Sequence, residues 1–243
     1  MTARAEVDGK QLEYKDGEWK GTKVSVILTC WKRFDNFARI MKAWLDQPET
    51  DEIIVWDNSG GRVAPSPLEN VIVINSSHNF GSSARYALGA LVKNACVMFG
   101  DDDIIPKPGF LAEWLPHFKR NRILGVTGRN YVDGTYDSGY NNVTLGTEAE
   151  ELKVVDFVVG YLMMMHRDKL IGFNYRDAAW YCCELELMGK LRFCDPALEI
   201  CVPPNDLWEK LPEGDDENAL CLQSDAEAEK HAVWDKWFSD LKK

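Results

Sequence analysis

The sequence predicts an α/β fold, a mostly parallel sheet flanked by helices, and three observations carry the prediction. In the first hundred residues, apolar and β-branched runs alternate with helical patterns in the order strand, helix, strand, strand, helix, strand. That order implies right-handed crossovers between parallel strands. The 243 residues, 45% of them hydrophobic and nine of them Trp, suffice for a substantial core. Finally, the apolar run Cys96-Val97-Met98-Phe99 ends in Gly100 and is followed at once by Asp101, Asp102 and Asp103. Open α/β sheets place their ligands at that kind of strand end.

Taken in order, residues 1–22 form a polar lead-in, with a short hairpin around Asp16-Gly17, and residues 23–243 a single domain. KVSVILTC (23–30) is a β-branched buried strand. Phe37, Ile40, Met41, Trp44 and Leu45 then fall at helical spacing, with Asp35 as the predicted N-cap and Gln47-Pro48 as the stop. EIIVW (52–56) is the second strand and runs into the turn signal Asp57-Asn58-Ser59-Gly60-Gly61. A third strand covers 71–74, a helix follows in NSSHNFGSSARYALGALVKN, and ACVMFG is the fourth strand. Downstream, Phe110, Leu111, Trp114, Leu115 and Phe118 repeat a helical face, and 123–127 reads as a strand. Residues 131–146 lack a period and read as a long irregular loop. One or two strands cover 154–165, a helix 178–191, a short strand 198–202 and a loop 203–214. The last helix starts at a capping box, Ser224 with Glu227, and carries the stripe Trp234, Trp237, Phe238 and Leu241.

Composition narrows the function. A net charge of −11 argues against a general nucleic-acid binder, which needs clustered Lys and Arg. No apolar run reaches the ~18 residues of a transmembrane span, and the N-terminus lacks the apolar core of a signal peptide. Seven cysteines without regular spacing argue for reduced thiols and a cytoplasmic setting, and the absence of CxxC pairs argues against zinc. Three adjacent carboxylates repel one another. A hard cation such as Mn²⁺ or Mg²⁺ offsets that repulsion through carboxylate and phosphate oxygens. The triplet alone equally fits a solvated acidic turn leading the helix near Pro108.

The order VSVILTCWKR, IIVWDNSG, NFGSSAR, VMFGDDD resembles the nucleotide-sugar glycosyltransferases of GT-A (Rossmann-like) fold, whose acidic triplet is the DXD motif. RILGVTGRNY and VVDFVVGYLMMMHRDKL are similar to segments of the exostosin-type, family 64-like transferase domain, so the resemblance spans about 23–240. It implies a nucleotide-binding half, 23–105, and an acceptor and catalytic half, 106–243. It implies a metal-dependent hexosyltransferase with a UDP-sugar as donor and a glycan or other hydroxyl compound as acceptor. Thr29, Cys30 and Arg33 would border the nucleotide, Thr29 alternatively satisfying a buried turn. Asp57 and Asn58 would bond the base, although both residue types also suit any turn. Asn79, Gly81 and Arg85 match the loop over the nucleotide; Arg85 can fork onto phosphate or an aspartate, or lie on a helix surface. Asn130 in GRNY is carried over as a further nucleotide-sugar contact. Asp103 would ligate the metal, with Asp101 and Asp102 reaching metal, ribose or donor sugar.

Glu184 and Glu186, in CCELEL, fall where inverting members carry an acidic pair, and Glu184 is the preferred base. The two point about 200° apart on a helix, so only one can face a site. A solvated helix face is the alternative for either. Leu185 stands where exostosin-type proteins carry an acid, which weakens any import of their retaining mechanism. His231, on the face of Trp234 and Phe238, is a candidate metal or diphosphate contact, or a core histidine; His166 reads as a cap. Trp180, Tyr181 and the 131–146 segment could offer aromatic surface to sugar rings. The competing readings are a sugar-phosphate nucleotidyltransferase, although TCWKRFDN lacks that class's glycine-rich loop, and a non-catalytic carbohydrate- or metal-binding module.

Overall fold

The computed structural model describes residues 3–7, 10–15, 18–20, 22–132, 140–146, 149, 151–171, 183–211 and 225–238. The elements in chain order are β1 (Ala3–Val7), β2 (Lys10–Lys15), β3 (Glu18–Lys20), β4 (Val24–Cys30), α1 (Phe34–Leu45), β5 (Thr50–Asp57) and β6 (Val71–Asn75). They continue with α2 (Ala84–Ala87), β7 (Cys96–Gly100), β8 (Ile104–Pro106), α3 (Phe110–Trp114), β9 (Arg122–Gly125), β10 (Gly128–Tyr131) and β11 (Tyr140–Val143). Last come β12 (Lys153–Val154), β13 (Phe157–Val158), β14 (Leu162–His166), α4 (Cys183–Cys194), β15 (Glu199–Val202), β16 (Trp208–Lys210) and α5 (Ala226–Trp237).

Eight strands form one sheet in the order β12-β15-β9-β14-β7-β4-β5-β6. The β7-β4-β5-β6 run is parallel throughout, as is β9 with β15, while β14 enters antiparallel between β7 and β9. Alternation along each strand sorts side chains to two faces, because successive Cβ atoms point to opposite sides. Ile27, Ile54, Val97, Phe99, Met163 and Met165 go to one core with Leu187 and Met188 of α4 and Trp234 of α5. Val26, Leu28, Ile53, Val55, Met98 and Met164 go to the other with Ile40 and Trp44 of α1 and Phe110 and Trp114 of α3. The result is a helix–sheet–helix sandwich, the mixed α/β fold expected, and burial on both faces explains why the central strands are nearly continuous apolar runs.

Several local expectations change. Arg33, not Asp35, occupies the N-cap of α1 and makes no side-chain cap bond, because a guanidinium carries only donors and cannot accept from the first-turn N–H groups; it pairs with Asp102 instead. Asp35 sits in the first turn instead, where its charge still suits the helix dipole. The 131–146 region contains a strand: β11 pairs antiparallel with β10, which also pairs with β13. Its Asn141 and Asn142 are exposed, so pairing is by backbone and leaves no apolar alternation to read. The supposed loop 203–214 contains β16, which pairs antiparallel with β8 directly after the aspartates. The lead-in carries a three-stranded antiparallel sheet, in which Lys15 opposes Glu18 around the expected hairpin. Asp16, Gly17, Trp180, Tyr181, Ser224 and Leu241 lie outside the described residues; α5 begins after Asp225.

Candidate active site

At the carboxyl ends of β4, β5 and β7 lies a cleft of about 410 Å³. Its walls come from the turn after β4, the loop before α2, the triplet after β7, the turn before β14, the start of α4, and β16.

The turn after β4 reverses within three residues. Lys32 takes φ 68°, the left-handed region that costs a non-glycine residue roughly 1–2 kcal/mol. The geometry brings two donors onto one carboxylate: the Trp31 N–H donates to Asp102 Oδ2 at 2.7 Å and Arg33 Nη1 to Asp102 Oδ1 at 2.8 Å. Arg33 Nη1 also lies 3.5 Å from Asp103 Oδ2. Arg85, buried at the start of α2, pairs with Asp101. Two guanidinium groups thus offset three carboxylates. Burial pushes Asp101 above the usual carboxylate range, with Asp103 and Asp102 adding to it and Arg85 opposing. Burial also raises Asp102, against the Trp31 N–H and Arg33. Burial works to lower Arg85, and the Asp101 carboxylate reverses that, so the guanidinium stays charged. Among the described residues its Nε and the Thr29 Oγ1 are buried polar atoms without a hydrogen-bond partner, and both residues line the cleft.

The second wall hangs from Asn58. Its Oδ1 accepts from Trp56 Nε1 at 2.8 Å and the Phe80 N–H at 3.0 Å, while its Nδ2 donates to the Gly81 carbonyl at 3.0 Å. Asn79 Oδ1 accepts from the Gly81 N–H at 2.8 Å, and Gly81 takes φ 65°, where a glycine costs least. This tie places the 79–81 loop against the end of β5.

Of the residues expected from sequence, Thr29, Arg33, Asn58, Asn79, Gly81, Arg85, Asp101, Asp102, Asp103 and Glu184 line the cleft. Five do not. Asp57 is fully buried beneath it: its carboxylate accepts from Ser59 Oγ and from the N–H groups of Ser59 at 2.7 Å, Gly61 at 3.1 Å and Val63 at 3.0 Å. It organises the turn after β5 and has no oxygen left for a base. Cys30 is buried in the core, where burial raises its thiol, and it contributes its carbonyl to Asn58 N–H at 3.0 Å. Asn130 lies on β10, its Oδ1 accepting from Asp156 N–H at 3.1 Å. Glu186 is buried toward α5 and pairs with Lys236 at 2.9 Å. His231 sits half-buried on α5, away from the cleft lining. Asn130 belongs to GRNY and His166 to VVDFVVGYLMMMHRDKL; neither residue lines the cleft, although the second segment supplies Val159, Gly160 and Tyr161 to it. His166 caps a 3₁₀ turn, its Nδ1 accepting from Asp168 N–H at 3.2 Å.

Sequence reasoning missed Trp31, Ser82, Gly160, Tyr161, Trp208 and Lys210, all in the lining. Trp31 lies inside the TCWKR motif and was legible there; Trp208 and Lys210 depend on a strand whose pairing spans a hundred residues.

The donor set suits a hard divalent cation. All three aspartates line the cleft; Asp102 has a donor on each oxygen, so Asp103 and the second oxygen of Asp101 are the carboxylate surface of the triplet left for a cation. Among the described residues no three His, Cys, Asp or Glu side chains converge to hold a metal alone. One or two carboxylates completed by substrate phosphates is the usual Mg²⁺ and Mn²⁺ arrangement, so the residues present fit it. Glu184 in the first turn of α4 lines the same cleft and is in contact range of Gly160. Among the described residues no helix is long and apolar enough to cross a membrane.

Residues 25–184 match the family described as Glycosyl transferase family 2. No curated protein matches the chain. Among solved structures, the mannosyltransferase PcManGT from Pyrobaculum calidifontis, in complex with GDP-Man and Mn²⁺, is similar at 14% identity and a TM-score of 0.57 over 79% of this chain. This chain spans 58% of that protein's length. TarS 1-349 of S. aureus is similar at 15% identity and a TM-score of 0.52, covering 87% of this chain and 69% of the other, and has also been solved with UDP-GlcNAc. These likenesses are of fold.

Proposed function

We propose that this chain, which belongs to glycosyl transferase family 2, transfers a hexosyl group from a nucleotide diphosphate donor, UDP first, to a hydroxyl of a glycan acceptor. One observation carries the reading: Asp101, Asp103 and Glu184 line a single cleft at the carboxyl ends of parallel strands. Metal-facing carboxylates and a separate carboxylate for the acceptor are the two requirements of an inverting displacement. The similarity to proteins solved with GDP-Man and Mn²⁺ and with UDP-GlcNAc supports the donor class.

Asn58, Asn79 and Gly81 border the nucleotide, and Arg85, which holds Asp101, adds positive charge to the lining beside the donor phosphates. Mn²⁺ or Mg²⁺, held by Asp103 with Asp101 and phosphate oxygens, would supply positive charge for the leaving diphosphate. Arg33 fixes Asp102, and Asp102 in turn fixes the backbone of Trp31, so the triplet keeps its geometry before donor arrives. Glu184 accepts the proton of the attacking acceptor hydroxyl, an alcohol being a poor nucleophile otherwise. Buried thiols at Cys30, Cys96, Cys183 and Cys201 suit the cytoplasm.

The test is a thermal-shift panel of nucleotide sugars with and without Mn²⁺. Wild type gains stability from UDP-sugar plus Mn²⁺, about 2.7 kcal/mol at a hundredfold Kd. Asp103→Ala loses the Mn²⁺-dependent part and keeps its apo fold. Diphosphate binding unchanged in that variant rules the metal role out.

A further inference from the structure

We propose that Tyr161 and Trp208 form an acceptor platform in the cleft, and that Lys210 selects acceptor sugars bearing an acidic group. The inference deepens the glycosyl-transfer reading above and rests on it for the word acceptor.

The lining of the cleft is of two chemical kinds. One is polar and closed on itself, its arginines matched to aspartates and its asparagines to backbone. The other presents aromatic faces. Tyr161 and Trp208 both line it, their ring centroids 5.8 Å apart and tilted by 43°. Both are half-buried, so each keeps ring surface toward the cleft. The Tyr161 hydroxyl is spent inward, donating to Thr127 Oγ1, which lies 3.3 Å from Thr144 Oγ1. What Tyr161 offers a ligand is therefore its ring. Flat aromatic walls with few polar groups suit a ligand that is apolar on its face and polar at its edge, as a pyranose is.

The platform is rigid and sits beside the chemistry. Trp208 opposes Pro106 and Lys210 opposes Ile104 across the β8–β16 pair. The Leu211 N–H donates to the Asp103 carbonyl at 2.7 Å and the Lys107 N–H to the Leu207 carbonyl at 2.8 Å, so β16 is tied to the backbone of the triplet at one end and to the residue after β8 at the other. On the Tyr161 side, the neighbouring Gly160 approaches Glu184 closely enough that a Cβ there would lie 3.2 Å from Glu184 Cγ. The Tyr161 carbonyl accepts from the Asp101 N–H at 3.1 Å. A sugar stacked on this pair thus has the base and the metal-facing carboxylates as its neighbours.

Lys210 supplies the selectivity. Arg33 and Arg85, the other cations of the lining, are each held by an aspartate. Lys210 has no carboxylate or hydrogen-bond partner among the described residues, and its side chain is exposed. An unpaired cation next to a sugar platform favours a carboxylate or phosphate on that sugar.

The experiment titrates methyl glucuronide and methyl glucoside, followed by saturation-transfer NMR, into the full chain with and without UDP and Mn²⁺; UDP affinity is measured separately. The glucuronide binds several-fold more tightly than the glucoside. Trp208→Ala weakens both about tenfold, and Trp208→Phe restores most of the loss, which separates stacking from misfolding. Lys210→Gln brings the two glycosides to equal affinity and leaves UDP affinity unchanged. The proposal is overturned if neither glycoside binds, if Trp208→Ala changes nothing, or if Lys210→Gln weakens UDP, which assigns that cation to the donor. Glycoside binding to a protein that ignores UDP keeps the platform and removes the donor reading, so the two fail separately.

Discussion

The two sides of the cleft handle charge in opposite ways. On the β4–β5–β7 side, Asp102 takes two donors, Asp101 takes Arg85, and Asp57 takes four donors from its own turn. On the side built from α4 and β16, Glu184 accepts only from the Cys183 thiol at 3.5 Å among the described residues, and Lys210 has no partner there. A carboxylate held by arginine or backbone donors fixes geometry, and one left open can accept a proton. The difference separates the acidic residues that hold the turns from Glu184, the carboxylate left open for the proposed proton transfer.

The sharpest way to break the comparison uses the pair on α4. Glu184 and Glu186 sit two residues apart, one lining the cleft and the other paired with Lys236. Glu184→Gln keeps shape and hydrogen bonding but removes the base, so transfer falls by roughly 10²–10⁴ while UDP binding survives. Glu186→Gln loses far less. Equal losses, or a larger loss at Glu186, mean that the open carboxylate is not the base. Retained donor configuration in the product, with neither variant slower, removes the inverting mechanism as well.

Next in size is Asp57, a buried carboxylate whose role is to hold a turn. Asp57→Ala leaves several buried N–H groups without acceptors and costs on the order of 3 kcal/mol of stability. Burial pushes its carboxyl up, but hydrogen bonds from Ser59, Val63 and Gly61 outweigh it and hold it below the usual range. A depressed folded-state value means its stabilisation is complete above the unfolded value, about 3.9, and is lost as pH falls through the folded value. Melting temperature against pH therefore shows an acid limb that Asp57→Asn flattens. If Asp57→Asn leaves stability intact at neutral pH and selectively weakens UDP, Asp57 reads the base after all.

Smaller again is the effect of crowding the open side. Gly160→Ala puts a Cβ 3.1 Å from Tyr86 Oη and 3.2 Å from Glu184 Cγ. The glutamate must yield by a few tenths of an ångström, and transfer falls about tenfold with UDP affinity unchanged. A variant with full activity shows that the Glu184 position tolerates displacement, which is hard to reconcile with general-base work.

How legible each side was in the sequence follows from how it is built. The first side comes from parallel strands whose ends carry their motifs locally: TCWKR, DNSG, NFGSSAR and DDD each lie within a few residues of a strand end. Periodicity finds the strands, and the strand ends find the residues. What it could not show was which residue of each motif faces out. Asp57 and Asn58 are neighbours of alike chemistry, and only the closure of the turn at residues 59–63 on the Asp57 carboxylate separates them. The second side is assembled from distant pieces. β14 runs antiparallel between β7 and β9, and β16 reaches back to β8, pairings that leave no periodic trace because the strands are short. Glu184 was reachable by spacing, and the rule that two glutamates two apart cannot share a face separated it from Glu186. Trp208 and Lys210 were not, since a three-residue strand reads as loop.

The smallest expected effect tests the closed end of the α4 pair. Lys236 Nζ lies 2.9 Å from Glu186 Oε1 and 4.9 Å from the Trp237 ring centroid. The lysine side chain is 58% exposed and that of Glu186 is 11% exposed, so water reaches the pair from one end. Exposed ion pairs contribute about 0–1 kcal/mol, and Lys236→Gln should cost no more than that, since Gln can still donate to the carboxylate. Transfer and UDP affinity should stay at wild-type values, because nothing in the pair touches the cleft. Chemical denaturation gives the first quantity and steady-state rates the second. A tenfold loss of transfer without loss of stability would couple the α4–α5 contact to Glu184, and the separation of holding from acting carboxylates on that helix would no longer stand.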